Sequence, residues 1–402
     1  MERGVRMSNN MSILDKWSSD IEAYRQGALV NTSIPQCESC SQYIKGDALH
    51  CKKYCHEMKP RYVMFPSREC PMFEAASQTQ FPVSNSKQSR LYGAILGFCI
   101  GDMLGVPVEF SSRAEREKDP VGEMRAYGVY HQHFGSWSDD TSLMLCLIDA
   151  INQGFTLERL CNNMIAYSTS GVFTPNGKMF DIGNSTLYAI RRMSAGIQPE
   201  KCGGSTENDN GNGSLMRILP LAFVCGSLLP EQIIELVGIV SSVTHRHPRA
   251  IVACLLYTVM AKELREGKSK HEALDTAISF VQSYCTADTK RELIYYDNIV
   301  NKLILNFDYH HIRSSGYVVD TLEAVIWTFM NTDDYRTAVL MAINLGGDTD
   351  TIAALVGGLV GISKGYESLP QNWVQCIARK ELIHDMLLEF YERVTKQETM
   401  EG

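Results

Sequence analysis

Apolar residues recur at helical spacing through most of the chain after residue 88. Segments such as DTSLMLCLIDAINQG, PRAIVACLLYTVMAKELREG and DYRTAVLMAINLG carry the apolar periodicity of amphipathic helices. Several of these segments begin after Ser, Thr, Asp or Pro and end at Gly, as helices commonly do. The alternation that is typical of strands is scarce. The pattern therefore predicts an all-α domain of many short helices over residues 89–402.

The chain ahead of this domain changes composition twice. Residues 75–88 are rich in Ser, Gln and Asn, and we expect them to form a linker. Residues 1–74 contain five of the thirteen cysteines. This clustering predicts a small Cys-rich module, whose expected role is to dock a target or a partner protein rather than to perform chemistry.

The cysteine spacing in this module favours a structural zinc site. The ligands would be four thiolates, or three of them with the last cysteine, from the set Cys37, Cys40, Cys51, Cys55 and Cys70. A module this short builds little hydrophobic core without such a crosslink. Two alternatives stay open: reduced cysteines on a small helical appendage, and an iron–sulfur cluster.

The composition and net charge of the chain argue against several classes of function. The chain has 402 residues, of which 45% are hydrophobic and 21% are charged, as in ordinary globular proteins. Its net charge of -8 gives no electrostatic footprint for nucleic acid or for an anionic membrane surface. The first residues lack the apolar core of a secretory signal, so we expect a cytoplasmic protein with reduced cysteines.

Two predicted helices begin with paired acids. Asp348 and Asp350 flank Thr349 ahead of the apolar segment TIAALVGGLVG, and Asp139 and Asp140 precede another apolar face. Acids at helix starts are often simple caps. However, buried carboxylates are unfavourable unless they are paired or bound to a cation, and neither stretch contains a basic residue. If the two starts meet, their oxygens suit a pair of Mg²⁺, Mn²⁺ or Ca²⁺ ions. The residue pattern alone leaves capping and metal binding open.

A third acid, Glu109, follows the glycine-punctuated segment LYGAILGFCIGDMLGVPVEF. It is either a solvated loop acid or a carboxylate beside the ions that handles a water or a proton. Asp102, within the same segment, is expected to make structural hydrogen bonds.

Six segments now point to a known family: GAILGFCIGDMLGVPVEF, WSDDT, FDIGNST, GNGSLMRILPLAF, THRHPRA and NLGGDTDTIAALVGGLVG, in that order. Together they resemble the ADP-ribosylglycohydrolase family. The resemblance implies an orthogonal multi-helix bundle with a dinuclear Mg²⁺ or Mn²⁺ centre. The metal ligands that the resemblance implies are Ser138, Asp139, Asp140, Asp348, Asp350 and Thr351. Many members carry Thr where this chain has Ser138, and both residues offer a hydroxyl oxygen.

The same resemblance implies two substrate loops. In the first, Gly211, Asn212, Gly213 and Ser214 would contact the diphosphate and ribose of ADP-ribose. The residues alone fit either a flexible loop or a backbone N–H cradle for phosphate. In the second loop, Gly183 would approach the ligand closely. Asp181 would be either an acid behind the residues that touch the substrate or one that faces the scissile bond, and Glu109 is preferred over it as the catalytic acid. His245 would lie near the phosphates, although a structural histidine is the alternative.

The implied activity is hydrolysis of the glycosidic bond between ADP-ribose and an acceptor, which reverses ADP-ribosylation. The alternatives are hydrolysis of a small ADP-ribose derivative, and a non-catalytic ADP-ribose-binding or immunity-type protein. The last is disfavoured because both acid pairs, Thr351 and Glu109 are present. The acceptor (arginine, serine, a base or a small molecule) is left open by the sequence.

Overall fold

The computed structural model describes the backbone of residues 81–401 and the side chains of residues 81–396. The chain divides into two units, Met1–Ser77 and Gln78–Gly402, and the described residues belong to the second. The zinc site that was predicted from the N-terminal cysteines lies outside the described residues.

Sixteen α-helices follow one another along residues 81–401. They are α1 (Ser86–Gly105), α2 (Arg113–Lys118), α3 (Asp139–Asn152), α4 (Leu157–Ser170), α5 (Asn184–Ser194), α6 (Leu221–Val224), α7 (Pro230–Ser242), α8 (Pro248–Arg265), α9 (Lys270–Tyr284), α10 (Ala287–Glu292), α11 (Asp297–Val300), α12 (Val318–Met330), α13 (Tyr335–Asn344), α14 (Thr349–Lys364), α15 (Gln371–Cys376) and α16 (Lys380–Glu401). Within this range the strand-type pairing is limited to three isolated bridges. The predicted all-α fold is confirmed. Helix α1 begins inside the segment that was predicted to be a linker.

Helices α1 and α14 pack against each other in the core with their backbones in contact. A Cβ atom built on Gly97 would lie 2.6 Å from the carbonyl oxygen of Gly357, and one on Gly101 would lie 2.7 Å from the amide nitrogen of Ala354. The glycines of α1 recur every fourth residue, so they lie on one face of the helix. A Cβ on Gly105 would lie 2.5 Å from the amide nitrogen of Asp350. The antiparallel pair therefore brings the end of α1 to the acidic start of α14.

Asp102 anchors the start of α3 to α1. Its buried carboxylate accepts hydrogen bonds from the backbone N–H groups of Ser138 (2.9 Å) and Thr141 (3.0 Å), and from the Thr141 hydroxyl (2.6 Å). These are structural hydrogen bonds of the kind predicted for Asp102. Burial raises the pKa of this carboxyl to about 6, and the three donors counteract that rise. Asp102 therefore positions the second acidic helix start.

Length and composition alone would allow the segment Ser86–Val108 to cross a membrane. Its apolar window is, however, completely buried inside the protein. Its apolar composition is therefore explained by its place as the central helix of the core.

Candidate active site

The two acidic helix starts meet in the structure. The side chain of Asp140, in the first turn of α3, is hydrogen-bonded to Thr351 in the first turn of α14. The aspartates at both starts, Asp139, Asp140, Asp348 and Asp350, are buried. The sequence predicted a shared oxygen-ligand site only if the two helix starts lie side by side, and in the structure they do.

Helix capping does not account for these acids. The cap of α3 is the hydroxyl of Ser138, which accepts a hydrogen bond from the Asp140 N–H at 3.2 Å. Asp348 is at the N-cap position of α14, but its side chain makes no capping hydrogen bond. Asp350 Oδ1 does accept a hydrogen bond from the Thr351 N–H at 2.9 Å, but Asp140 Oδ2 has no hydrogen-bond partner, so hydrogen bonds to the helix starts leave part of this carboxylate set for another partner.

Glu109 joins the same cluster. The 3-10 turn Val106–Val108 leads from α1 to this residue. Just beyond it, Phe110 and Ser111 exchange backbone hydrogen bonds of 2.8 Å with Gly347, which holds the two loops together. Carboxylate oxygens of Glu109, Asp348 and Asp350 all lie within 4.8 Å of one another. The helix pair and the paired loops together create this convergence.

Burial and mutual repulsion make this cluster unfavourable without a cation. Burial, followed by the charges of neighbouring acids, raises the pKa values of Asp139, Asp140 and Asp350 well above their ordinary range. The same causes raise the pKa of Glu109 to about 9. One buried oxygen of Glu109 (Oε2) and one of Asp140 (Oδ2) have no hydrogen-bond partner. Buried carboxylate oxygens without donors suit a hard divalent cation, so the residues present fit such an ion.

Glu109 also belongs to a hydrogen-bonded group on the other side of the cluster. Its carboxyl contacts the hydroxyl of Tyr130 and the carboxyl of Asp181. Burial raises the pKa of Asp181. Its backbone has a positive φ of 49° and its carbonyl accepts a 3.1 Å hydrogen bond from the Tyr167 hydroxyl. The structure therefore brings both predicted catalytic acids together and adds Tyr130, which the sequence analysis missed.

The first substrate loop is tied directly to the acidic cluster. The Asn212 side-chain amide donates hydrogen bonds to Asp348 Oδ2 at 2.6 Å and to the Thr321 hydroxyl at 3.0 Å. Backbone hydrogen bonds from Asn212 to Gly316 (3.1 Å) and from Val318 to Asn210 (3.0 Å) pair the loop with the segment before α12. Asn212 thus orients a carboxylate that was predicted to bind metal.

The remaining predicted substrate residues divide into two groups. A Cβ on Gly213 would lie 2.6 Å from His245 Cε1 and 2.8 Å from the Thr186 hydroxyl, so only glycine fits there. Gly183 is exposed at the N-cap position of α5. By contrast, the Ser214 hydroxyl is buried in the core, 3.4 Å from Cys254 Sγ and 2.9 Å from the Ser241 hydroxyl. A substrate contact by Ser214 would therefore come from its backbone.

Arg249 was another residue that the sequence analysis did not single out. Its buried guanidinium binds Glu207 (2.9 Å), which lies ahead of the glycine loop, and Glu292 (2.8 Å). It also lies 3.2 Å from the hydroxyl of Tyr317, whose backbone is paired with Gly211. Arg249 therefore holds both sides of the loop. Arg249 lies in the THRHPRA segment and Tyr130 lies in none of the six segments, but in both cases the partners are distant along the chain, so the sequence did not indicate these contacts.

The described fold and site define a class: all-α proteins in which acidic helix starts, a loop glutamate and a glycine-rich loop form one centre. The model of the ADP-ribosylglycohydrolase family matches residues 83–399. The chain belongs to that family, as its motifs predicted.

Two relatives and one solved structure illustrate the similarity. The chain is 32% identical over 318 residues to "ADP-ribosylarginine hydrolase Tri1" of Pseudomonas putida (strain GB-1), covering 78% of this chain and 81% of the relative. It is 28% identical over 307 residues to "ADP-ribosyl-[dinitrogen reductase] glycohydrolase" of Rhodospirillum rubrum, covering 73% and 92%. A solved "ADP-ribosylglycohydrolase-related protein complex" superposes with a TM-score of 0.65 at 26% identity, covering 77% and 99%. The predicted enzyme class, a glycosidic-bond hydrolase, is confirmed.

Proposed function

We propose that this chain hydrolyses the glycosidic bond between C1″ of ADP-ribose and an arginine side chain of a modified protein, with two Mg²⁺ or Mn²⁺ ions bound. The observation that carries the proposal is the convergence of Glu109 with both acidic helix starts. The arginine acceptor is supported by the relative that is named as an ADP-ribosylarginine hydrolase. A surplus of carboxylates around the site also suits a cationic guanidinium.

The cations would be held by the residues at the two helix starts: Ser138, Asp139, Asp140, Asp348, Asp350 and Thr351. A bound divalent cation supplies Lewis acidity, which polarises oxygen ligands and lowers the pKa of a bound water. Asn212 holds Asp348 in place from the substrate loop. The loop and the metal centre would therefore be ordered together.

Glu109 is the proposed general acid and base. In glycoside hydrolysis the sugar develops oxocarbenium character while the leaving group takes up a proton. Glu109 would donate that proton to the leaving guanidine nitrogen as the C1″–N bond breaks. It would then recover a proton from the water whose oxygen bonds to C1″. Asp181 and Tyr130, which both contact Glu109, would orient its carboxyl.

The glycine loop would supply binding energy away from the reacting bond. Backbone N–H groups of Gly211, Gly213 and Ser214, together with His245, would hold the diphosphate. Such remote contacts position C1″ for attack and contribute to rate acceleration through orientation. The cytoplasmic location and the N-terminal zinc site stay predictions from the sequence.

Release of free ADP-ribose tests this proposal. Arginine-linked and serine-linked ADP-ribosylated proteins would be incubated with the full chain and Mg²⁺, Mn²⁺ or EDTA. We expect metal-dependent release from the arginine linkage, abolished by Asp350→Asn and retained by the matched control Asp385→Asn, whose carboxylate is exposed. Turnover by Asp350→Asn would refute the metal assignment. Release only from serine, or only from small ADP-ribose derivatives, would refute the acceptor.

A further inference from the structure

Arg217 is a fully buried cation behind the glycine loop. It ends the 3-10 turn Leu215–Arg217, and its Nη2 donates hydrogen bonds to the Val240 carbonyl at 3.0 Å and to the Thr244 hydroxyl at 2.7 Å. Burial lowers its pKa to about 10, which leaves it protonated at neutral pH. A guanidinium has donors only. Thr244 must therefore accept in this contact.

The Thr244 hydroxyl has a second neighbour, Nδ1 of His245, at 2.9 Å. Because one Thr244 lone pair is occupied by Arg217, the hydroxyl hydrogen can be directed to the imidazole. A protonated Nδ1 would instead compete for the remaining lone pair and leave that hydrogen without a partner at a fully buried position. Unpaired buried donors are unfavourable. The contacts therefore favour an Nδ1 that accepts from Thr244.

In a neutral imidazole with an accepting Nδ1, the hydrogen resides on Nε2. That nitrogen faces the substrate loop: a Cβ on Gly213 would lie 3.3 Å from it, and a Cβ on Gly211 would lie 3.6 Å from it. The imidazole is also kept neutral, since burial and the charge of Arg217 lower the pKa of His245 to about 3.

We propose that Arg217 and Thr244 are positioning residues that fix His245 as its Nε2–H tautomer, which presents a hydrogen-bond donor to the diphosphate in the Gly211–Gly213 loop. The identity of this ligand rests on the proposed function, whereas the tautomer does not. The opposite tautomer would direct a lone pair at the anion and repel it. Thr244 thus determines whether the loop attracts or repels a phosphate oxygen at this point.

The tautomer can be measured directly by ¹⁵N NMR of the full chain with labelled histidine. The chain has ten histidines, and the His245 signal would be assigned by its loss in His245→Gln. At pH 7 we expect a non-protonated Nδ1 and a protonated Nε2. A protonated Nδ1 would overturn the proposal, whether Nε2 is protonated or not. The tautomer is read in the wild-type protein, and this result depends on neither turnover nor ligand binding.

Thr244→Val and Thr244→Ser form a matched pair, because Ser keeps the hydroxyl and Val replaces it with a methyl group of similar size. Calorimetric titration of each metal-loaded protein with ADP-ribose gives the Kd. We expect Ser to match the wild type in tautomer and Kd. We expect Val to give mixed tautomers and a Kd that is about tenfold to a hundredfold higher, as for a lost hydrogen bond to a charged group.

Two outcomes separate this inference from the proposed function. Wild-type affinity in Thr244→Val would overturn the positioning role even if the enzyme hydrolyses ADP-ribosylarginine. An Nε2–H tautomer in a wild-type protein that does not bind ADP-ribose would support the hydrogen-bond relay and overturn its proposed ligand.

Discussion

Tyr130 makes contact with both acids that complete the centre, Glu109 and Asp181. It lies at the end of the 3-10 turn Gly128–Tyr130, in a loop without helical periodicity. Burial is the largest cause of the raised pKa of Glu109, and the hydrogen bond with Tyr130 acts in the opposite direction. One hydroxyl therefore adjusts the acidity of the proposed catalytic carboxyl.

Tyr130→Phe should make Glu109 a weaker acid, because the hydrogen bond that stabilises its charged form is lost. We expect the pH–rate limb that belongs to Glu109 to shift to higher pH, and kcat to fall by about tenfold to a hundredfold. The measurement is a pH profile of ADP-ribose release. Tyr188→Phe, on an exposed ring of α5, is the control. An unchanged profile for Tyr130→Phe would refute this role.

At the level of elements, the pairing of α1 with α14 determines the geometry of the centre. Glycine on α1 lets the two backbones touch, and this contact continues to the start of α14, where the Thr349 hydroxyl donates a 2.9 Å hydrogen bond to the Gly105 carbonyl. Any side chain inserted between the helices would separate the acids of α14 from Glu109. The glycines of this segment thus serve packing and chemistry together.

Gly101→Ala should separate these two helices, since the new Cβ would overlap the carbonyl of Ala353. We expect a loss of about 1–3 kcal/mol in the free energy of unfolding. Affinity for Mg²⁺ should also be weaker. Gly238→Ala is the matched control, because Gly238 lies in α7 with nothing within 4 Å of the added Cβ. That control should gain about 0.5–1 kcal/mol. Urea unfolding measures both, and equal effects in the two variants would contradict the packing argument.

For the whole molecule, the buried acids link stability to pH. Without a cation, Glu109 keeps a proton up to about pH 9 in the folded protein, whereas its ordinary value is 4.5. The unfolded chain releases that proton first, so the free energy of unfolding falls as pH rises through this interval. Asp139, Asp140 and Asp350 contribute in the same direction. A bound cation should remove the effect because it stabilises the charged carboxylates.

In EDTA, the Tm should therefore fall as the pH is raised from about 5 to 8.5, and Mg²⁺ should largely restore it. Thermal unfolding followed by circular dichroism, with and without Mg²⁺, provides the measurement. Asp350→Asn removes one of these acids and should reduce the decline in EDTA. A Tm that rises with pH in EDTA over this interval would be incompatible with buried, unneutralised carboxylates.

The sequence predicts those features of the molecule that show as a pattern within a few consecutive residues. Helical periodicity and the acids at Asp139 and Asp348 are read within a few residues, and the all-α fold follows from them. Thr244 and Arg249 lie in the quoted segment THRHPRA, but their contacts, like those of Tyr130, depend on partners in other elements, so the sequence gives the residues without their contacts. For Ser214 the structure adds what the motif could not give, since it places the hydroxyl in the core and leaves only the backbone for the predicted substrate contact.

The pairing of α1 with α14 also has a consequence for biosynthesis. Their contact at Gly105 and Thr349 spans 244 positions. At the usual pace of translation, α14 leaves the ribosome roughly 10–50 s after α1. For that interval the nascent chain carries an apolar helix whose glycine face lacks the helix that covers it in the folded protein. A chaperone that binds newly made α1 would therefore keep this face from aggregating until α14 is synthesised and the acidic site can form.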